Sequence, residues 1–206
     1  MKSSATAVVL ILGIIGGGSI GLGTMRANVA VQGETSTTAS VDRARQERSR
    51  PDSEEQVLEE WALERFAMAG LALPSVQVTI HATKEPCGGN TGISVRGGPV
   101  AHVELCPARD APDVVAKRAI LHELAHVWAA TALTDDQKCA FSRQRGCAAW
   151  AEGPWENRAC EHAAEVIAWA LMDRDLIVVM IPDHEPEKLA EAYRSLTGSE
   201  PVLRLP

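Results

Sequence analysis

The chain has no basic surplus: 20 Lys and Arg face 27 Asp and Glu, for a net charge of −7 and a sequence pI of about 5.4. No basic face is available to neutralise phosphates, which excludes nucleic acid as a partner. Aromatic residues make up only 4% of the sequence, and five of them are Trp. The five cysteines contain no C-x-x-C pair, so a zinc site built from cysteines is excluded as well. No internal repeat is present. What remains is a chain of 206 residues, enough for one domain with a real core and too short for two large ones.

Three segments differ in composition. Residues 5–25 follow Lys2 and carry no charge, with an apolar core from Val8 to Ile15 and a Gly-rich second half. Residues 1–27 read either as a cleaved secretory signal peptide or as an uncleaved signal anchor, and both imply export to the cell envelope or beyond. Residues 28–53 are rich in Ser and Thr and then in charge, with nothing to bury, so they read as a disordered linker. A folded domain is expected over residues 54–206, as a monomer touching membrane only through its N-terminal segment.

Within that domain a helix is expected from Glu54 to about Ala69, with Val57, Leu58, Trp61, Ala62, Arg65 and Phe66 on its inner side and Gly70 as its stop. Val76–His81 alternates as a half-buried strand does, Ile93–Val95 is a short candidate strand, and Val100–Cys106 alternates again. These suggest a small antiparallel or mixed sheet packed on helices, an α+β arrangement. Asp110-Ala-Pro-Asp113 signals a helix start with Asp110 as cap, and the helix should run to about Ala130. Its stripe Leu121, Leu124, Ala125 and Trp128 belongs to the core. Further helices are expected over residues 135–143, 155–174 and 185–196, with an apolar run at 176–181. Trp128, Trp150, Trp155 and Trp169 are read as core. In an oxidising compartment Cys87 should pair with Cys106 across a probable hairpin, and a second pair should form among Cys139, Cys147 and Cys160.

The chemistry is concentrated in His122-Glu123-Leu124-Ala125-His126. Residues four apart share a helix face, so His122 and His126 aim two imidazoles at one point, as ligands of a tetrahedral zinc do. Glu123 is placed to take a proton from a water on such an ion. A catalytic zinc site uses three protein ligands, and the continuation after His126 is Val-Trp-Ala-Ala-Thr-Ala, which excludes the H-x-x-G-x-x-H solution with a third His. A carboxylate on a later helix is then required, and Glu161 and Glu165 stack at i and i+4 in an otherwise apolar segment. Glu161 is the expected third ligand and Glu165 the partner that orients His122; the bland alternative makes Glu161 a surface residue and Glu165 the ligand. His162 points about 100° away from Glu161 and reads as a neighbour.

These two motifs, His122-Glu-Leu-Ala-His126 and Glu161-His-Ala-Ala-Glu165, resemble those of the gluzincin metallopeptidases, the thermolysin-like half of the zincins, over about residues 55–175. The resemblance implies a zincin-like fold, a Zn2+ cofactor, a peptide or protein substrate held by main-chain pairing to an edge strand, and hydrolysis of an amide with Glu123 as general base. Val100–Leu105 is the expected edge strand. The Tyr or His that gluzincins use to stabilise the oxyanion has no obvious counterpart; Tyr193, His102, His162 and His184 are the residues open to that role. Two other functions fit the same motifs: a cell-surface zinc-binding or interaction module with little turnover, and a metal-dependent amidase acting on cell-wall material.

Overall fold

The computed structural model describes residues 54–95, 98–108, 111–172 and 180–201. The signal or anchor segment, the linker, Asp110 and most of the apolar run at 176–181 lie outside the described residues.

Acidic residues lead the first helix, α1 (Glu54–Met68), as they should at the positive end of a helix dipole. Ala62 and Phe66 bury its inner stripe, with Leu58 and Trp61 half-buried beside them. Val57, expected on that side, is 55% exposed, because it lies one position and about 100° off the stripe. Gly70, at φ 70°, turns the chain out of the helix, a conformation that a Cβ would penalise.

Three short strands follow: β1 (Val76–Ile80), β2 (Gly92–Val95) and β3 (Ala101–Leu105). They form a mixed sheet in the order β1-β3-β2. β1 runs parallel to β3, with Val78 opposite Val103, and β2 runs antiparallel to it, with Ser94 opposite Val103. The sheet is therefore not wholly antiparallel, and Val100–Leu105 is not its edge. Alternation alone does not distinguish the strands, but burial does: Ala101, Val103 and Leu105 are all buried, the pattern of a central strand, whereas β2 has no outer neighbour among the described residues.

The longest described helix, α2 (Asp113–Ala132), has Pro112 at its N-cap and no side-chain cap, so it starts two residues later than a cap at Asp110 would set, with the proline before its first turn. Its first turn is tied by an ion pair, Lys117 Nζ to Asp113 at 2.6 Å. From Ala119 to Ala129 every residue but His122 is buried, the expected stripe of Leu121, Leu124, Ala125 and Trp128 among them. A capping box of Thr134 and Gln137 opens α3 (Asp135–Gln144). The expected helix over 155–174 is divided into a single 3-10 turn, Trp155–Asn157, and α4 (Ala159–Leu171), with Arg158 extended between them. The last helix, α5 (Pro186–Thr197), ends on Gly198 in the left-handed conformation.

α4 carries twelve buried residues and packs on α2; together with β3 these elements hold the centre of the core. Deep burial on both sides makes α2 and α4 a rigid pair, and the two motifs sit on the faces they turn to one another. Among the described residues the α+β class stands as expected, and no helix is long and apolar enough to cross a membrane.

The predicted disulfide between Cys87 and Cys106 is present, with Cα atoms 6.1 Å apart. It joins the residue before the Gly-rich turn to the residue after β3. The second expected disulfide is not formed. Cys139 faces outward on α3, Cys147 turns its thiol to the His162 ring, and Cys160 lies on α4 beside Glu161, so these three thiols point to different surroundings.

Candidate metal centre

The buried helix pair brings three donor atoms together. Nε2 of His122 and Nε2 of His126 are 3.1 Å apart, and Oε2 of Glu161 is 3.2 Å from each. This is nearly an equilateral triangle. Ligands about 2.0–2.1 Å from a tetrahedral zinc lie roughly 3.3–3.4 Å from one another, so the triangle is within about 0.2 Å of the spacing a zinc ion requires. His122, His126 and Glu161 form the possible metal-binding group among the described residues, and each offers one atom to it.

Behind this triangle is a second layer of charge. Oε1 of Glu165 lies 3.0 Å from Nδ1 of His122, and the same oxygen accepts from Nη2 of Arg118. Glu165 is 1% exposed. Glu165 closes on this edge of the His122 ring at ion-pair distance, with its oxygen shared between His122 and Arg118. Arg118 was not singled out in the sequence. Its spacing was legible, because residues 118, 122 and 126 succeed one another at i, i+4 and i+8 on one helix face.

Electrostatics follow from this crowding. Burial alone would push His122 down, but hydrogen bonds to Glu161 and Glu165 and the charges of Glu165 and Glu123 outweigh it and raise its pKa to about 9. Burial likewise opposes ionisation of Glu161, and the two imidazoles more than compensate, holding it well below the usual carboxylate range. Glu165 is lowered too: His122 and Arg118 overcome its burial. Glu123 goes the other way. Burial raises its pKa, only partly offset by His122 and His126 and by a hydrogen bond from Ser94.

A cavity of about 670 Å³ opens over the triangle. Its lining includes β2 and the turn before it, from Gly89 to Ser94, together with Trp155, Arg158 and Met180. Gly92 is a further residue the sequence reading passed over. A Cβ there would stand 2.8 Å from Cγ of Glu123 and 3.0 Å from its Oε1, so only glycine lets the strand and the carboxylate occupy adjacent space. Trp128 and Trp169 are buried as expected, and Trp150 and Trp155 are half-buried and pack against the core, Trp155 also lining this cavity.

The residues open to an oxyanion role lie elsewhere. Tyr193 is 1% exposed in the core on α5. His162 is buried, with Nε2 2.8 Å from the carbonyl oxygen of Glu156 and Nδ1 near Arg145 and Cys147. Nδ1 of His184 lies by the Ile181 carbonyl oxygen, and His102 is exposed on β3. None of these four lines the cavity. Comparison with protein families, with characterised proteins and with solved structures finds no match to this chain.

Proposed function

We propose that the protein is an exported zinc-dependent peptidase of gluzincin type, with a zincin-like fold and with His122, His126 and Glu161 as its metal ligands. The observation that carries this reading is the triangle of donor atoms 3.1–3.2 Å on a side, with the Glu123 carboxylate beside it and β2, which has no outer neighbour among the described residues, along the same cavity.

Zinc held there would polarise a scissile carbonyl and lower the pKa of a water to about 7. Glu123 would take the proton of the attacking water and return it to the leaving amine, and burial shifts its pKa upward, the direction that favours return of the proton. By pairing with Nδ1 of His122, Glu165 would keep Nε2 available to a metal ion, while Arg118 holds Glu165 in place from its other side. β2, which has no outer strand neighbour among the described residues, would offer N–H and C=O groups to an extended peptide. This moves the substrate-binding strand from Val100–Leu105 to Gly92–Val95.

A second reading is a surface zinc-binding module with little turnover, favoured by the absence of tyrosine, and of any histidine beyond the two ligands, among the described residues lining the cavity. Wild-type and Glu123→Gln protein, both assayed for zinc and for cleavage of a peptide library, separate the two. One zinc per chain in both and cleavage by wild type alone is the expected result. Zinc without cleavage in either gives the binding module; protein that takes up no zinc sinks both readings.

A further inference from the structure

The cavity holds two arginines in different states. Arg118 is neutralised by Glu165. Arg158 has no carboxylate within ion-pair distance among the described residues, and Glu161, three positions on, does not reach it. Its Nε donates to the carbonyl oxygen of Gly153 at 2.7 Å, and among the described residues that is its side chain's only hydrogen bond. The backbone around it is also fixed: Arg158 is bridged to Ala149, and its carbonyl accepts from Glu161 and His162 at the start of α4. One edge of the guanidinium is therefore anchored to the rim. The two Nη groups keep a forked array of donors whose geometry matches a carboxylate.

The charge balance of the cavity points the same way. The chain as a whole is acidic, at −7, yet among the described residues a divalent ion in the triangle with Arg118 and Arg158 gives four positive charges against the three of Glu123, Glu161 and Glu165. Inside a cleft such a local excess is focused rather than dissipated, and it draws in an anionic group.

We propose that Arg158 is a specificity-determining residue that binds a carboxylate of the substrate, so that the peptides this site takes carry either a free C-terminus or an acidic side chain close to the scissile bond. The proposal rests on the peptidase reading for its substrate but is tested by binding, which does not require turnover.

Zinc-treated Glu123→Gln protein is titrated with three peptides that differ at one point: a free C-terminal carboxylate, its carboxamide, and the carboxamide with one internal Gln replaced by Glu. Binding is read calorimetrically. The carboxylate or the Glu peptide should bind about 10- to 100-fold more tightly than the neutral one, the worth of a charge-assisted hydrogen bond, and which of the two does so identifies the source of the carboxylate. Adding Arg158→Ala should erase that preference without changing affinity for the neutral peptide. Adding Arg158→Lys, which keeps the charge and loses the fork, should restore part of it and controls for folding. Equal binding of all three peptides, or a preference that survives in the Arg158→Ala protein, overturns the proposal. Failure of wild-type protein to cleave any peptide while the preference persists would count against the peptidase reading alone.

Discussion

The Cβ that Gly92 lacks would stand 2.8 Å from Cγ of Glu123. β2 and the Glu123 carboxylate thus share one small volume, and the strand lies so close to the carboxylate that a methyl group cannot come between them.

Gly92→Ala should therefore act on catalysis more than on stability. The atom it meets belongs to a side chain that can turn aside, so the fold survives while the carboxylate leaves its place. A general base contributes about 10²–10⁴ in rate, and partial displacement should lower kcat/KM at least about tenfold with zinc content unchanged. Zinc analysis beside peptide kinetics checks this; full activity in Gly92→Ala protein would show that Glu123 does not need its observed position.

Glu161 and Glu165 should respond differently to removal. Glu161→Ala deletes one corner of the donor triangle and should leave the protein with close to no zinc. Glu165→Ala leaves all three corners and should weaken zinc binding about 10- to 100-fold. It also strips Arg118 of its partner, and because Arg118 is 23% exposed the cost is below that of a fully buried charge, about 2 kcal/mol. Competition against a chelator gives the affinities and urea unfolding of metal-free protein gives the stability. Zinc lost from Glu165→Ala and retained by Glu161→Ala would exchange the two roles.

Much of this site was legible in the sequence, and the residues that were not share a reason. His122, His126, Glu161 and Glu165 lie at fixed spacings on two helices, and helix periodicity converts spacing into direction. The sheet gave no such guide: β1 and β3 both alternate, and nothing local states that they pair in parallel with β2 on the far side of β3, since pairing joins residues distant in sequence. Gly92 reads from sequence as one more glycine in a Gly-rich turn, because the contact that requires it comes from a residue 31 positions later. The apparent long helix at 155–174 is interrupted at Arg158, which is extended between a 3-10 turn and α4, and nothing in the local pattern marks that interruption.

Metal-free protein should lose stability between about pH 6.5 and 9. The pKa of His122 is raised from 6.5 to about 9, so its contribution is complete below the unfolded value and disappears as pH climbs through the folded one. Glu161 and Glu165 are lowered, so theirs is present above the ordinary value of 4.5 and fades as pH falls through the acid range. Zinc must displace the His122 proton, so its affinity should rise by about tenfold per pH unit up to pH 9, other ligands being ready. Thermal melts with and without zinc across that range measure both effects. A metal-free melting temperature that climbs from pH 6.5 to 9 would refute the assignment.

The Cys87–Cys106 disulfide should matter for stability and little for the chemistry. It closes a loop of sequence separation 19, for which constraint of the unfolded chain is worth about 3 kcal/mol. Both sulfurs belong to buried residues, 1% and 0% exposed, so reductant reaches them only when the chain opens. The cavity wall they adjoin has its own support. β2 is laddered to β3 from Gly92–Leu105 to Val95–His102, and the Cys106 N–H donates to the Thr91 carbonyl oxygen at 2.7 Å. Replacing both cysteines with serine removes the cross-link and leaves those bonds in place. The expected result is a loss of about 3 kcal/mol in urea unfolding, with zinc content unchanged and kcat/KM within about twofold at 25 °C, where the protein is still folded. Loss of zinc or of activity in protein that remains folded would mean that the bridge also positions Gly92 against Glu123, and that the strand ladder alone does not.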